Sequence, residues 1–190
     1  MELPFIEDQN FEGVHFLETP LKATDYENCN FSNCNFSGVD LKKITFMDCV
    51  FNECDFSEAN LKDTGLKTVL FENCKLMGLR FDLCDPFLLA FSFKDCLLQY
   101  ASFYLLKIKG TSFVNCNLEK ADFTAAILNK ASFSNCNLNE AVFESTNLQK
   151  ADFRTAFNFS MDPEKNNLKG TRFSKNNLSG LLERYQLTIE

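Results

Sequence analysis

The sequence predicts a solenoid, a chain wound into a rod from short, similar sides. Three observations carry this. In residues 111–153 an aromatic or aliphatic residue falls on every fifth position: Phe113, Leu118, Phe123, Leu128, Phe133, Leu138, Phe143, Leu148 and Phe153. Two residues before each stands something small: Thr111, Cys116, Ala121, Ala126, Ala131, Cys136, Ala141, Thr146 and Ala151. The string SFVNCNLEKADF at 112–123 also returns as SFSNCNLNEAVF at 132–143, twenty residues on. A period of five fits neither the 3.6 of a helix nor the 2.0 of a strand. A helix turning about 100° per residue would carry these groups right round its surface. A strand would put alternate members on opposite faces. The period therefore belongs to a chain that changes direction once every five residues.

The repeat starts almost at once. Ile6, Phe11, Phe16, Leu21, Tyr26, Phe31, Phe36, Leu41, Phe46, Phe51, Phe56, Leu61, Leu66, Phe71, Leu76 and Phe81 keep the five-residue phase without a polar exception. The triplets Ala121-Asp122-Phe123, Ala151-Asp152-Phe153, Cys116-Asn117-Leu118 and Cys54-Asp55-Phe56 resemble the motif of the pentapeptide-repeat family, A(D/N)LXX with Leu or Phe at its centre. The resemblance spans nearly the whole chain. It implies an all-β fold, a right-handed quadrilateral β-helix over residues 1–178, in which each pentapeptide is one side of a square and four sides make one coil. The central residues would then stack in four inward columns, one of them Phe93, Phe113, Phe133, Phe153 and Phe173, with Phe103, Phe123 and Phe143 opposite. The small residue two before each centre would also point inward, and the other three would face solvent. Glycine is not expected at every corner, because backbone groups there pair with the coils above and below.

Two irregularities interrupt the ladder. From Phe81 to Phe93 is two residues too many, and the segment 82–92 holds Pro86 with Phe87, Leu88 and Leu89 where polar residues are expected. Proline cannot donate to a neighbouring coil, so the segment reads as a small bulge between two rods, or else as a partner-binding protrusion. Over 157–166, Asn158 and Pro163 take central positions, and Phe157 with Phe159 or Met161 is expected to fill the core instead. The tail, 179–190, leaves the repeat. Leu181, Leu182 and Tyr185 form one apolar stripe of a short α-helix, and Leu187 and Ile189 alternate as in a strand. A solenoid end must be capped or joined to another copy. The resemblance to topoisomerase-protecting members implies a homodimer through this tail, with Leu181, Leu182, Tyr185, Leu187 and Ile189 at the interface. The N-terminal end, near Met1, Leu3 and Phe5, needs a cap as well.

Composition narrows the function. All nine cysteines, Cys29, Cys34, Cys49, Cys54, Cys74, Cys84, Cys96, Cys116 and Cys136, occupy the small slot two before an apolar position, and their spacings match no common zinc pattern. They read as buried small hydrophobes. The single His15 excludes a multi-histidine centre, and no glycine-rich phosphate loop exists. No cofactor, no metal site and no enzymatic activity are expected. The net charge of −7 argues against direct nucleic-acid binding. No apolar run reaches a membrane span, and the first residues lack a signal-peptide pattern, so the expectation is a cytoplasmic protein with no membrane contact. Up to residue 92 there are 16 acids and 7 bases, and from residue 93 there are 10 and 12. Nine coils at a strand spacing of ~4.8 Å would give a rod of about 43 Å. The resemblance to the Qnr and MfpA type of quinolone-resistance protein implies a DNA-mimicking ligand of DNA gyrase or topoisomerase IV. The alternative is a structural scaffold for an unidentified partner.

Overall fold

A computed structural model describes residues 5–22 and 24–187. The chain is a parallel β-solenoid, and its four faces are named here by the order in which the chain meets them. The first face pairs Phe5–Glu7, Asp25–Glu27, Thr45–Met47 and Gly65–Lys67 into one sheet. On the second face seven strands stack in sequence, from Asn10–Glu12 through Ser132–Ser134. Every pairing is parallel, with registers such as Phe31↔Phe51 and Phe113↔Phe133. Isolated bridges such as Asn35↔Asp55 and Asp122↔Val142 continue the ladder on the third and fourth faces.

The five-residue phase places the core. Phe11, Phe31, Phe51, Phe71, Phe93, Phe113, Phe133, Phe153 and Phe173 stack ring on ring behind the second face, at centroid steps of 4.6 to 5.5 Å. Behind the fourth face Phe81, Phe103, Phe123 and Phe143 stack in the same way, at 4.9 to 5.1 Å. Rings of neighbouring columns meet edge-on, as Phe113 and Phe123 do at 5.9 Å and 85°. Such geometry places the positive ring edge against the negative face.

The small slot is buried too, and the nine cysteines are free and buried. Where it holds cysteine or threonine, the slot can also have a polar duty. The Cys54 thiol donates to the carbonyls of Asn52 and, one coil back, of Phe31. Thr146 does the same with Glu144 and Phe123. Cysteine and threonine thus satisfy carbonyls that alanine leaves to the backbone. Burial pushes the Cys49 thiol up to about 12. In the stack beside the third column, hydrogen bonding to a neighbouring thiol and then burial raise Cys34, Cys74 and Cys136.

The corners carry a conformational cost that the sequence does not advertise. The second residue after most column centres has φ near +50° to +75°, at Asn28, Asp48, Lys130 and Lys150 among many. A non-glycine residue gives up about 1–2 kcal/mol in this region. The offset is a hydrogen bond to the next coil: Asn28 N–H donates to Met47 and Lys130 N–H to Gln149, both at 2.9 Å. Thr68, β-branched and exposed, sits at one such corner with φ +57°. Asparagine tolerates this conformation and threonine does not. Thr68→Asn is therefore expected to raise stability by about 0.5–1 kcal/mol, or about 1–4 °C in Tm. A calorimetric scan checks it, and an unchanged or lower Tm would show that the corner is relaxed.

The coil after Phe81 carries two residues more than its neighbours, since Phe71 pairs with Phe93 and Val69 with Phe91. Its first-face column loses its centre, because Pro86, Phe87 and Leu88 all turn outward. Phe91 fills the gap from the small slot, buried against Phe81 and Phe93 at 5.3 and 5.1 Å. Near the C-terminus Phe159 and Met161 take the core positions vacated by Asn158 and Pro163. Phe157 does not: it bridges Asn137 on the outer surface and is 47% exposed.

The chain then closes the rod as two 3-10 segments, Lys175–Leu181 and Glu183–Tyr185, rather than the expected α-helix. The segment must stay in contact with the square last coil, and a tighter turn that begins already at Lys175 does this. Gly180 is buried against Phe159, and Leu181 packs on the core. Arg184 pairs with Asp162 and reaches Glu164 at 3.0 Å, and its hydrogen bond holds the Asp162 carboxyl below the usual carboxylate range. Among the described residues no helix is long and apolar enough to cross a membrane.

Candidate protein-docking surface

Most of the outer surface satisfies itself. Side chains one coil apart form polar ladders, as in Asn135 to Asn115 to Asp95 and Asn60 to Asp40. Its ion pairs, such as Lys75–Asp55 and Lys165–Glu144, are exposed and contribute little. Such a surface has no strong reason to bind anything.

One belt departs from this pattern, and it lies where the register slips. On the third face and its corner stand Met77, Leu97 and Tyr100. On the fourth stand Leu83, Tyr104 and Leu105, and the first carries Phe87 and Leu88. All are 40% exposed or more, and Phe87 and Leu88 reach 64% and 66%. The local geometry holds them outward. Leu88, Tyr100 and Leu105 occupy positive-φ corners, where the backbone turn points the side chain away from the rod. The Asp85 carboxylate accepts the Phe87 N–H at 3.0 Å, fixing the turn around Pro86. Lys67 lies over the Phe87 ring at 5.5 Å, and Lys120 over the Tyr100 ring at 5.4 Å. A group of exposed apolar side chains on two adjacent coils is the kind of patch that marks a protein contact.

Of the residues read from the sequence as a bulge, Pro86, Phe87 and Leu88 are exposed and belong to the belt, whereas Leu89 packs partly on the core. Leu83, Leu97, Tyr100, Tyr104 and Leu105 were missed. Their signal was available, since each is apolar at an outward position of the five-residue phase. The tail residues separate: Leu181 and Leu182 are half-buried on the cap, Tyr185 and Leu187 are exposed, and Ile189 lies outside the described residues. Met1 and Leu3, expected near the N-terminal cap, also lie outside them.

Nothing in the hollows gathers reactive groups. An open groove of about 510 Å³ beside the tail is lined by Glu140, Glu144, Asp162, Lys165, Glu183 and Arg184 among others. These side chains are largely paired with one another. Among the described residues no group of three or more histidine, cysteine or acidic side chains is placed to hold a metal. His15 is exposed on the third face.

A family model described as a pentapeptide repeat region matches residues 24–103, 44–123 and 106–181. No curated protein sequence matches. Among solved structures, a trypsin-treated variant of QnrB1, a plasmid-mediated fluoroquinolone resistance protein, superposes with a TM-score of 0.77 at 17% identity, covering 98% of this chain and 92% of that one. A second trypsin-treated QnrB1 variant gives 0.65 at 18% identity, with coverages of 98% and 100%. HetL, a pentapeptide repeat protein involved in heterocyst differentiation regulation from the cyanobacterium Nostoc sp. strain PCC 7120, gives 0.36 at 18% identity over 89% and 86%. At these identities the likeness is one of fold.

Proposed function

Because the chain belongs to the pentapeptide-repeat family, we propose that it is a non-catalytic, protein-binding rod whose partner is DNA gyrase or topoisomerase IV, which it engages in the place of a DNA segment and protects from quinolones or related toxins. The observation that carries this reading is the combination of a stiff acidic rod with one apolar belt. Nine rings stacked at strand-like spacing span about 40 Å, and the chain carries a net −7. That is roughly one net charge per 6 Å, against one per ~1.7 Å in duplex DNA. Charge of this density steers an encounter with a basic DNA-binding surface more than it holds it. The belt of Leu83, Tyr100, Tyr104 and Leu105 supplies the contact that holds.

A gyrase supercoiling assay with ciprofloxacin tests the reading. Added protein is expected to restore supercoiling at modest excess, and Tyr104→Ala with Leu105→Asp is expected to weaken protection by roughly tenfold or more, in line with the loss of a central anchor. Absence of any effect on both enzymes from the same host sinks the topoisomerase reading. The near-neutral half from residue 93 onward, with 10 acids and 12 bases, favours a second reading in that event: a scaffold on which the same belt docks another protein.

A further inference from the structure

The first face is acidic at its N-terminal end and basic at its C-terminal end. At its N-terminal end stand Glu7 and Asp8, then Asp25 and Glu27 one coil on, then Asp48. At its C-terminal end stand Lys107 and Lys109, then Lys130, Lys150 and Lys169 on successive coils. Backbone bonds fix these residues on one face: Asp8 N–H to Glu27, Asp48 N–H to Lys67, Lys130 N–H to Gln149 and Lys150 N–H to Lys169. No ion pair among the described residues uses any of the five lysines. Midway between the two ends, on the fifth of nine levels, stand the exposed Phe87 and Leu88. Beside them the missing column centre leaves a hollow of about 300 Å³ lined by Leu89, Ala90, Phe91 and Ile108 together with Lys107 and Lys109.

We propose that this face is a self-association surface, on which a second copy of the chain packs side by side and antiparallel. A two-fold axis crossing the face at Phe87 and Leu88, perpendicular to the rod, returns the face to itself with its ends exchanged. Such an interface is isologous, so each contact occurs twice. The first level then meets the ninth, bringing Glu7 and Asp8 to the second copy's Lys169. The second meets the eighth, Glu27 to Lys150, and the third meets the seventh, Asp48 to Lys130. Asp48 and Lys130 are both corner residues with positive φ, so the axis brings them to the same edge. At the centre the Phe87 of each copy faces the hollow of the other, where the ring meets Leu89 and Ile108 and the cations of Lys107 and Lys109.

One pairing opposes the arrangement. Lys67 on the fourth level meets Lys109 on the sixth. Its ammonium is already held over the Phe87 ring. The face as a whole is neutral, with six carboxylates including Asp85 and six lysines including Lys67. The net −7 of each chain therefore resides elsewhere, so pairing through the first face leaves the acidic surface and the belt residues of the third and fourth faces free.

Charge exchange tests the arrangement. By sedimentation equilibrium the full chain is expected to be a dimer that weakens with added salt, as screened ion pairs do. Lys130→Glu with Lys150→Glu puts carboxylate against carboxylate at both ends of the interface, and Glu27→Lys with Asp48→Lys puts ammonium against ammonium. Each variant alone is expected to have a dimer Kd raised by roughly tenfold or more, with its melting curve otherwise intact because the sites are on the surface. Mixed in equal amounts, the two variants are expected to regain the dimer, since each of the altered pairs is then opposite in sign. A monomeric wild-type chain overturns the proposal. So do variants that remain dimeric, which would assign the contact to the C-terminal tail, and so does a mixture that fails to recover.

Discussion

Phe123→Asp is expected to leave no folded rod. Phe123 is fully buried, stacked between Phe103 at 4.9 Å and Phe143 at 5.0 Å and met edge-on by Phe113 and Phe133. A carboxylate there has no donor within reach, and an unpaired buried charge costs several kcal/mol even after it takes up a proton. The truncation alone is severe. Phe123→Ala removes the ring without adding charge and is expected to cost about 3–5 kcal/mol, roughly 10 °C in Tm. Because each coil leans only on its neighbours, the damage sits mid-rod and separates two halves, so unfolding is expected to broaden. The control is Ala125→Asp, the same charge two residues on. Ala125 is a corner residue at φ +57°, a conformation aspartate tolerates, and its Tm is expected to stay within about 2 °C of wild type. Circular dichroism melting reads all three, and a folded Phe123→Asp variant with an unchanged melt would overturn the inward-column architecture.

Gly180→Ala is expected to release the C-terminal cap. A methyl group on Gly180 would stand 2.1 Å from the Phe159 carbonyl oxygen and 2.8 Å from its ring. The first of these is backbone and cannot swing aside. Either the 3-10 segment lifts away, losing the Met161 N–H bond to the Gly180 carbonyl, or Phe159 leaves the core position it fills in place of Asn158. Overpacking of this kind costs about 1–3 kcal/mol. The larger consequence is exposure of the last core layer, Phe159 and Phe173, at an open solenoid end. Amide exchange is expected to accelerate over residues 175–186, and light scattering is expected to show concentration-dependent association. Gly170→Ala is the comparison, since its added methyl meets only the Lys150 Cγ, at 3.4 Å, and the cost there is confined to its φ of +74°. Unchanged exchange in the Gly180→Ala tail would mean that the cap is held elsewhere.

Much of the rod is legible in the sequence. A residue such as Phe113 is apolar, lies five residues from its like and has a small neighbour two before it. Only a chain turning every fifth residue buries all such positions together. The same phase marks Met77, Leu83, Leu97, Tyr100, Tyr104 and Leu105 as outward, so most of the apolar belt was readable as misplaced hydrophobes. The cysteines were readable as slot residues from their positions alone. What could not be read was how each local deficit is repaired. Phe91 fills an empty column position from a slot where the pattern expects a small residue, and Phe157 stays outside although the sequence offers it to the core, because repair depends on which side of the backbone a residue falls once the register has slipped.

The sequence by itself therefore determined the period, the inward columns, the family and the sites of both irregularities, because burial of one side chain in five is a local, one-dimensional property. The tertiary structure alone decided three things. It turned the corners into positive-φ positions, because only the hydrogen bond to the next coil makes that conformation favourable. It folded the tail into 3-10 turns, because Gly180 must fit against Phe159. And it brought Glu27, Phe87 and Lys150 onto one face, because residues sixty or more positions apart fall along one line only when every coil closes in register.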